Sequence, residues 1–449
     1  MNIKQLEMRK ITGFSLAISG ILYFGLGLIF LLRKETLIFA VENLLNLLVI
    51  LLVLAGVFQV IGFTPIRKKE NTLAARFLQF LLNMIMALII YLKPEVVLSV
   101  IPLFFGAYAI FTGLIKLLSY VQYRKNSIRG KFHMVISASV IIVFGIGIML
   151  HPIASFVPLS NLIGIFFILY GLSFLIDALQ EGVSGEKKDS FKRRIRISLP
   201  MFMVALVPHQ ILTKINKALE TDTLDKEDLV YSKEDRDYDL EILIHVGEKG
   251  VAQLGHVDLW FEGKVMTYGS YDADTYILKG IISDGVLIEL ENKEEYIKFS
   301  QQSMGKTLFG FGLKLTEVQK DRVRDKITEI HENLYEWKPK SKVSMEKGVV
   351  PEEPYTDYAS TVYDRLKGKF YKFKKGPFKT YFALNTNCVL LADRVVGKAG
   401  IDIIKIQGLI TPGAYFEYFN REFYRKNSMV ISRTIYYNMS KQGKKMIES

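Results

Sequence analysis

The 449 residues hold one cysteine, Cys388, and six histidines. A single cysteine excludes an intramolecular disulfide framework and any multi-cysteine zinc site. The histidines are scattered, with no HxxxH or HExxH spacing, so no metal centre and no cofactor is expected. Charge is scarce inside the long apolar runs: Glu42, Glu95, Lys116 and Asp177 all fall near run ends, where snorkelling suffices. An ion or proton path needs ionisable groups at membrane depth, so an anchor or scaffold is the simpler reading of these runs.

Apolar sequence is what the first 180 residues have in excess. Six runs, 11–32, 44–63, 73–92, 96–119, 132–150 and 156–178, match the length a helix needs to cross a bilayer. No cleavage-site pattern marks the amino-terminal segment, which reads as a retained first span. The net charge of +13 follows from topology. Lys4, Arg9 and Lys10, then Arg67, Lys68, Lys69 and Arg76, then Lys116, Arg124, Lys125, Arg129 and Lys131, then Lys187, Lys188, Lys192, Arg193, Arg194 and Arg196 flank alternate loops. Only Arg33, Lys34 and Lys93 lie on the other side. The positive-inside rule then puts both termini in the cytoplasm. Anionic headgroups are the natural partners of these belts, and nucleic acid is not needed to explain the charge.

The spans repeat as three hairpins. ILYFGLGLIFLLRKE, LLNMIMALIIYLKPE and IIVFGIGIMLHPI end at Leu32, Leu92 and Leu150, about 60 residues apart. The second helix of each hairpin carries spaced glycines: Gly56 and Gly62, Gly106 and Gly113, Gly164 and Gly171. Small residues let helices approach closely in lipid. This pattern over about residues 10–180 resembles the HdeD-like family of six-span membrane proteins, which is associated with acid resistance. The resemblance implies an all-α six-helix membrane domain over 1–180, and homo-oligomerisation is left open.

Residues 181–236 read as a basic juxtamembrane linker. Within it 198–207 is apolar but short and interrupted by Pro200 and Pro208, which predicts an interfacial or re-entrant segment. A crossing there would put the tail outside. From Tyr238 the period becomes two: DLEILIHVG, QLGHVDLWFEG, KVMTYGSYD and DGVLIELE read as strands, with a hairpin turn at Glu262-Gly263. LTEVQKDRVRDKITEIHENLYEW reads as a helix capped by Thr316, burying Val318, Val323, Ile327, Ile330 and Leu334. Residues 338–356 read as an exposed loop and 426–449 as a basic tail. Two motifs fail on inspection. Gly305-Lys306-Thr307 lacks the upstream glycine of a phosphate loop, and Asp235, Asp237 and Asp239 lack calcium-loop spacing.

Two residues in this half invite chemistry. His256 shares a strand face with Asp258 and Trp260, opposite Val257, Leu259 and Phe261. Cys388 opens CVLLADRVV, an apolar helix with Asn385 or Thr386 as cap and Gly397 as terminator. Amides at a helix start favour a thiolate, and a cysteine nucleophile needs a histidine partner. Buried packing is the ordinary fate of either residue alone.

Together they carry a second resemblance. GHVDLW on a strand, a Tyr-Gly after the hairpin (Tyr268, Gly269), an LT-x-x-Q helix (Leu315, Thr316, Gln319), a tyrosine before Asn-Cys (Tyr381, Asn387, Cys388) and a later GLITPGAYFEYF occur in that order. Residues 237–425 thus resemble the circularly permuted papain-like hydrolases: permuted NlpC-type, lecithin retinol acyltransferase-like and PPPDE families. The resemblance implies an α+β papain-like domain with Cys388 as nucleophile and His256 as general base. The Cys388 backbone amide, with Asn387 nearby, would stabilise an oxyanion. The third member falls on Tyr268 by position, although a two-residue turn would put Thr267 on the His256 face and a three-residue turn would reverse this. The whole chain is expected to be a membrane-anchored cysteine hydrolase or acyltransferase at the cytoplasmic face, acting on a lipid, lipopeptide or peptide. The alternatives are an HdeD-like stress protein whose papain-like tail is a non-catalytic binding module, or a transporter with a regulatory domain.

Overall fold

The computed structural model describes residues 13–61, 73–128, 130–182, 194–197, 204, 207–220, 230–232, 237–247, 255–404, 411–425 and 428–437. The chain divides into two units, residues 17–116 with 134–175, and residues 1–16 with 117–133 and 176–449.

Among the described residues six helices are long and apolar enough to cross a membrane. They are α1 (Gly13–Leu32), α2 (Lys34–Ile61), α3 (Leu73–Leu92), α4 (Pro94–Lys125), α5 (His133–Leu150) and α6 (Phe156–Gly182). Their apolar side chains are largely exposed, as expected of surfaces that face lipid rather than water. The glycines show how the repeats join. A Cβ on Gly27 of α1 would lie 2.6 Å from the Gly164 carbonyl of α6, and one on Gly145 of α5 would lie 2.7 Å from that of Gly106 in α4. Gly56 of α2 likewise abuts Met84 of α3. The glycines of each hairpin's second helix therefore pack against the first helix of the next hairpin, with the third closing on the first. This is the close-approach use of small residues. Gly62 lies outside the described residues, as do Lys4, Arg9, Lys10, Arg67, Lys68, Lys69, Arg129, Lys187, Lys188, Lys192 and Arg193 of the basic belts.

In the second unit the expected strands form, and more besides. The strands are β2 (Val230–Ser232), β3 (Leu240–Val246), β4 (His256–Phe261), β5 (Lys264–Ser270), β6 (Ile282–Leu290), β7 (Thr307–Leu313), β8 (Leu334–Glu336), β9 (Lys369–Phe373), β10 (Thr380–Phe382) and β12 (Val430–Tyr436). They make an antiparallel sheet in the order β2-β12-β7-β3-β4-β5-β6-β9-β8, with β10 beside β6. A separate parallel pair joins β1 (Arg194–Ile197) to β11 (Ile401–Ile404). Alternation along the strands feeds two cores. Val257, Leu259, Phe261, Met266 and Tyr268 pack with α9 (Glu317–Glu332), α12 (Cys388–Val396) and α13 (Pro412–Phe423). Val265 and Trp260 face the other way, toward α8 (Lys293–Gln302) and α11 (Tyr358–Leu366).

Several expectations are corrected. Residues 430–436 are not tail but an inner strand between β2 and β7, because VISRTIY buries Val430 and Ile431. The linker ends early: α7 (Val207–Glu220) buries Leu212 in the core, and β2 forms the sheet edge. Residues 198–203, 205 and 206, most of the expected interfacial segment, lie outside the described residues, as do 426, 427 and 438–449. Residues 338–356 include a helix, α10 (Lys340–Glu346), with Ser341 buried. β7 went unexpected because Gly310 and Gly312 disguise its pattern; the side chains of Glu241, Tyr238 and Tyr436 occupy the space a Cβ would need there.

On α9, Val323 and Ile330 are buried, whereas Val318 in the first turn is exposed. Thr316 caps it: its hydroxyl accepts from Gln319 N, and the Gln319 side chain accepts from Thr316 N at 2.9 Å. Thr316→Ala is expected to cost about 1 kcal/mol, read as a lower unfolding midpoint of the detergent-solubilised chain, with Thr316→Ser near wild type.

Candidate active site

Local turn chemistry sets the register of the site. Glu262 and Gly263 adopt φ of 46° and 81°, the pattern of a two-residue hairpin turn, and Phe261 pairs with Lys264. Thr267 therefore falls opposite Asp258, on the same side as His256. Tyr268 goes to the other side, where its buried hydroxyl donates to the Phe378 carbonyl at 2.9 Å rather than to the imidazole. On the neighbouring strand His245 is paired with His256.

His256 opens β4, just after Gly255 at φ 87°. Three oxygens surround its Nε2: Asp258 Oδ1 at 2.9 Å, Thr267 Oγ1 at 3.0 Å and the Tyr271 hydroxyl at 3.0 Å. The two hydroxyls are 2.7 Å apart, and Tyr271 stacks on Tyr358 with centroids 4.7 Å apart. Asp258 is fully buried. Its Oδ2 accepts from the Tyr296 hydroxyl at 2.6 Å and lies 2.6 Å from His245 Nε2. One carboxylate thus bridges two histidines.

Cys388 is the first residue of α12 and is buried. The cap is Asn387, one or two residues later than expected: its Oδ1 accepts from Leu390 N at 3.0 Å. Its Nδ2 donates to Ala383 O at 2.9 Å, so the Asn387 side chain ties the preceding loop to the helix start. Thr386 is buried and donates to Thr380 O. The Cys388 thiol interacts with the side chains of His256 and Tyr381.

The electrostatics follow from this packing. Burial alone would depress the His256 imidazolium, but the charges of Cys388 and Asp258 and the contacts with both raise its pKa to about 10. Burial works against the Asp258 carboxylate, yet the charges of His256 and His245 hold it well below its usual range. Burial lowers the pKa of His245, against the raising effect of Asp258. Burial and the charge of Cys388 keep the Tyr381 phenol well above its ordinary value. Beside His256 is a cavity of about 290 Å³, lined among others by His245, Ser270, Tyr271, Lys306 and Tyr358. Lys306, dismissed with the phosphate-loop motif, lines this cavity, and burial lowers its ammonium.

The sequence named Cys388 and His256, with Tyr268 as the third member and Thr267 as its alternative; Thr267, not Tyr268, meets the imidazole. Sequence reasoning put Asp258 on the right face without giving it a role, although the His-x-Asp alternation was the available signal. His245, Tyr271, Tyr296 and Lys306 carried no local signal, because each reaches the site through strand pairing or a distant loop. Among the described residues no cluster of three or more metal-ligating side chains occurs.

Residues 81–150 and 136–189 each match the family model described as "Short repeat of unknown function (DUF308)". Together with the six apolar helices, this match makes the chain an integral membrane protein and supports the HdeD-like character of its membrane part. No curated protein and no solved structure matched the chain.

Proposed function

We propose that this protein is a membrane-anchored cysteine hydrolase or acyltransferase, working through Cys388, His256 and Asp258. One observation carries the reading. The lone cysteine stands at a helix start and interacts with a histidine that is in turn held by a fully buried carboxylate. Three oxygens occupy Nε2, so Nδ1 is the ring nitrogen left for the thiol. A thiolate held against an imidazolium is the nucleophile that acyl transfer needs.

In this reading Cys388 Sγ attacks the acyl carbonyl and the carbonyl electrons move to oxygen. Backbone N–H groups at the start of α12, which lack intrahelical partners, receive that charge. His256 gives its proton to the leaving amine or alcohol, and a Cys388 thioester remains. Water or a second acceptor, deprotonated by His256, then attacks the thioester and restores the thiol. Asp258 is the orienting member, with Thr267 and Tyr271 steadying the same ring nitrogen. The tail works at the cytoplasmic face if the basic loops are cytoplasmic.

The test is the rate of alkylation by iodoacetamide at pH 7. Cys388 should react faster than free cysteine, and His256→Ala should slow it at least about tenfold. A rate equal to that of free cysteine and indifferent to His256→Ala would leave the binding-module reading in place.

A further inference from the structure

The connection from β5 to β6, YDADTYILKGII, ends in an apolar tip with a fixed base. Tyr276 OH donates to Ser270 O at 3.0 Å, Asp284 N donates to Thr275 Oγ1 at 3.0 Å, and Ile277 bridges Ile282. At the apex Leu278 and Lys279 adopt φ of 52° and 57°, left-handed conformations that side-chain-bearing residues seldom take. Burial does not offset this strain. Leu278 is 64% exposed, Ile277 55%, Tyr276 43% and Ile281 38%. A strained, well-anchored loop that presents four large apolar side chains to the outside marks an interaction surface.

The same unit shows what lies next to it. Ile281 O accepts from Ala383 N at 2.9 Å, and β10 runs along residues 282–284. On either side of that contact, Asn385 Nδ2 donates to Ser119 Oγ at 2.6 Å and Thr380 Oγ1 donates to Asn126 Oδ1 at 3.1 Å. Ser119 lies in the last turns of α4, and Asn126 follows its final residue. The tip therefore grows from a segment pinned to the end of a candidate span. Lys279 at its apex, with Arg124 and Lys125 in the last turn of α4, gives the surroundings a positive charge that anionic headgroups complement.

We propose that residues 276–281 dock into the headgroup region of the bilayer, on the side where α4 ends. Tyr276, Ile277, Leu278 and Ile281 enter the acyl boundary, and Lys279 reaches back to anionic phosphates. Thr267 in β5 and Tyr271 at the start of this connection lead into the tip, so docking would hold the site against the lipid surface and admit acyl substrates from the leaflet. That consequence rests on the nucleophile reading of Cys388; the docking itself does not.

The experiment uses the full chain, reconstituted in phosphatidylglycerol–phosphatidylcholine nanodiscs. A nitroxide is placed at Leu278→Cys in a Cys388→Ala background, with Val350→Cys, 89% exposed, as the solvent reference. The ratio of oxygen to nickel-chelate accessibility should be at least about threefold higher at 278 than at 350, and should fall either in phosphatidylcholine alone or, in the mixed bilayer, when Lys279→Glu is added. Equal ratios at both positions overturn the proposal. So does protection of position 278 from both reagents, which would mean that a protein or a second copy covers the tip. A parallel assay separates this from the catalytic reading. Leu278→Asp should keep the soluble p-nitrophenyl acetate burst and lose about tenfold on p-nitrophenyl palmitate in vesicles. Absence of any burst in the unmodified chain would remove the nucleophile and leave the spin-label result standing.

Discussion

Replacing Cys388 with alanine is expected to abolish the nitrophenolate burst that the purified chain gives with p-nitrophenyl acetate, a loss of at least about a thousandfold. The reason is chemical: a thioester cannot form without Sγ, and no other nucleophile hydrogen-bonds His256 in the described residues except the Thr267 and Tyr271 hydroxyls, which bond each other. The fold should tolerate the change, since one small buried group is lost, at a cost on the order of 1 kcal/mol. Intact-mass measurement after a short reaction gives the second readout. The wild-type chain should gain one acyl group, Cys388→Ala none, and Cys388→Ser very little, because a hydroxyl is a far weaker nucleophile beside the same imidazole. Acylation that persists in Cys388→Ala would place the chemistry elsewhere.

The second large effect belongs to Asp258. Asp258→Asn keeps the shape and removes the charge, and it should lower acylation by about 10²–10⁴ by releasing the ring of His256. It should also change the pH profile in a stated direction. With Asp258 present, the His256 imidazolium persists to about pH 10. Its folded pKa lies above the ordinary value of 6.5, so this charge contributes stability that is fully present below about pH 6.5. That contribution is lost as pH rises through about 10. In Asp258→Asn the carboxylate that helps raise His256 is gone, and the upper limb should move to lower pH. Asp258→Ala should be harsher, on the order of 3–5 kcal/mol, because two histidines and Tyr296 lose the buried carboxylate they share. Thermal unfolding at pH 6 and pH 10.5 checks the sign. A wild-type advantage over Asp258→Asn that grows toward pH 10.5 would contradict the assignment.

Cys388 and His256 were legible because each sits in a local pattern: an Asn-capped apolar helix, and a strand whose alternation separates His256 from Val257. Thr267 against Tyr268 was not legible, since the choice turned on whether Glu262-Gly263 closes as two residues. The turn geometry decided it, sending Tyr268 to Phe378 and Thr267 to the imidazole. Asn387 instead of Asn385 or Thr386 as cap is a difference of one or two residues, the usual uncertainty of a helix end. The inner strand Val430–Tyr436 was hidden by the basic residues around it, whose charge suggested a tail.

The membrane part was determined by sequence alone, because bilayer thickness converts directly into run length and helices satisfy their backbones locally. The same holds for the position of Cys388 at a helix start. Only the tertiary structure decided which groups meet. The pairing of His245 with His256 depends on strand offset, and the bridging of both by Asp258 depends on that pairing. The exposure of Leu278 depends on how the loop base is pinned. These are contacts between residues distant in the chain, and no local period encodes them.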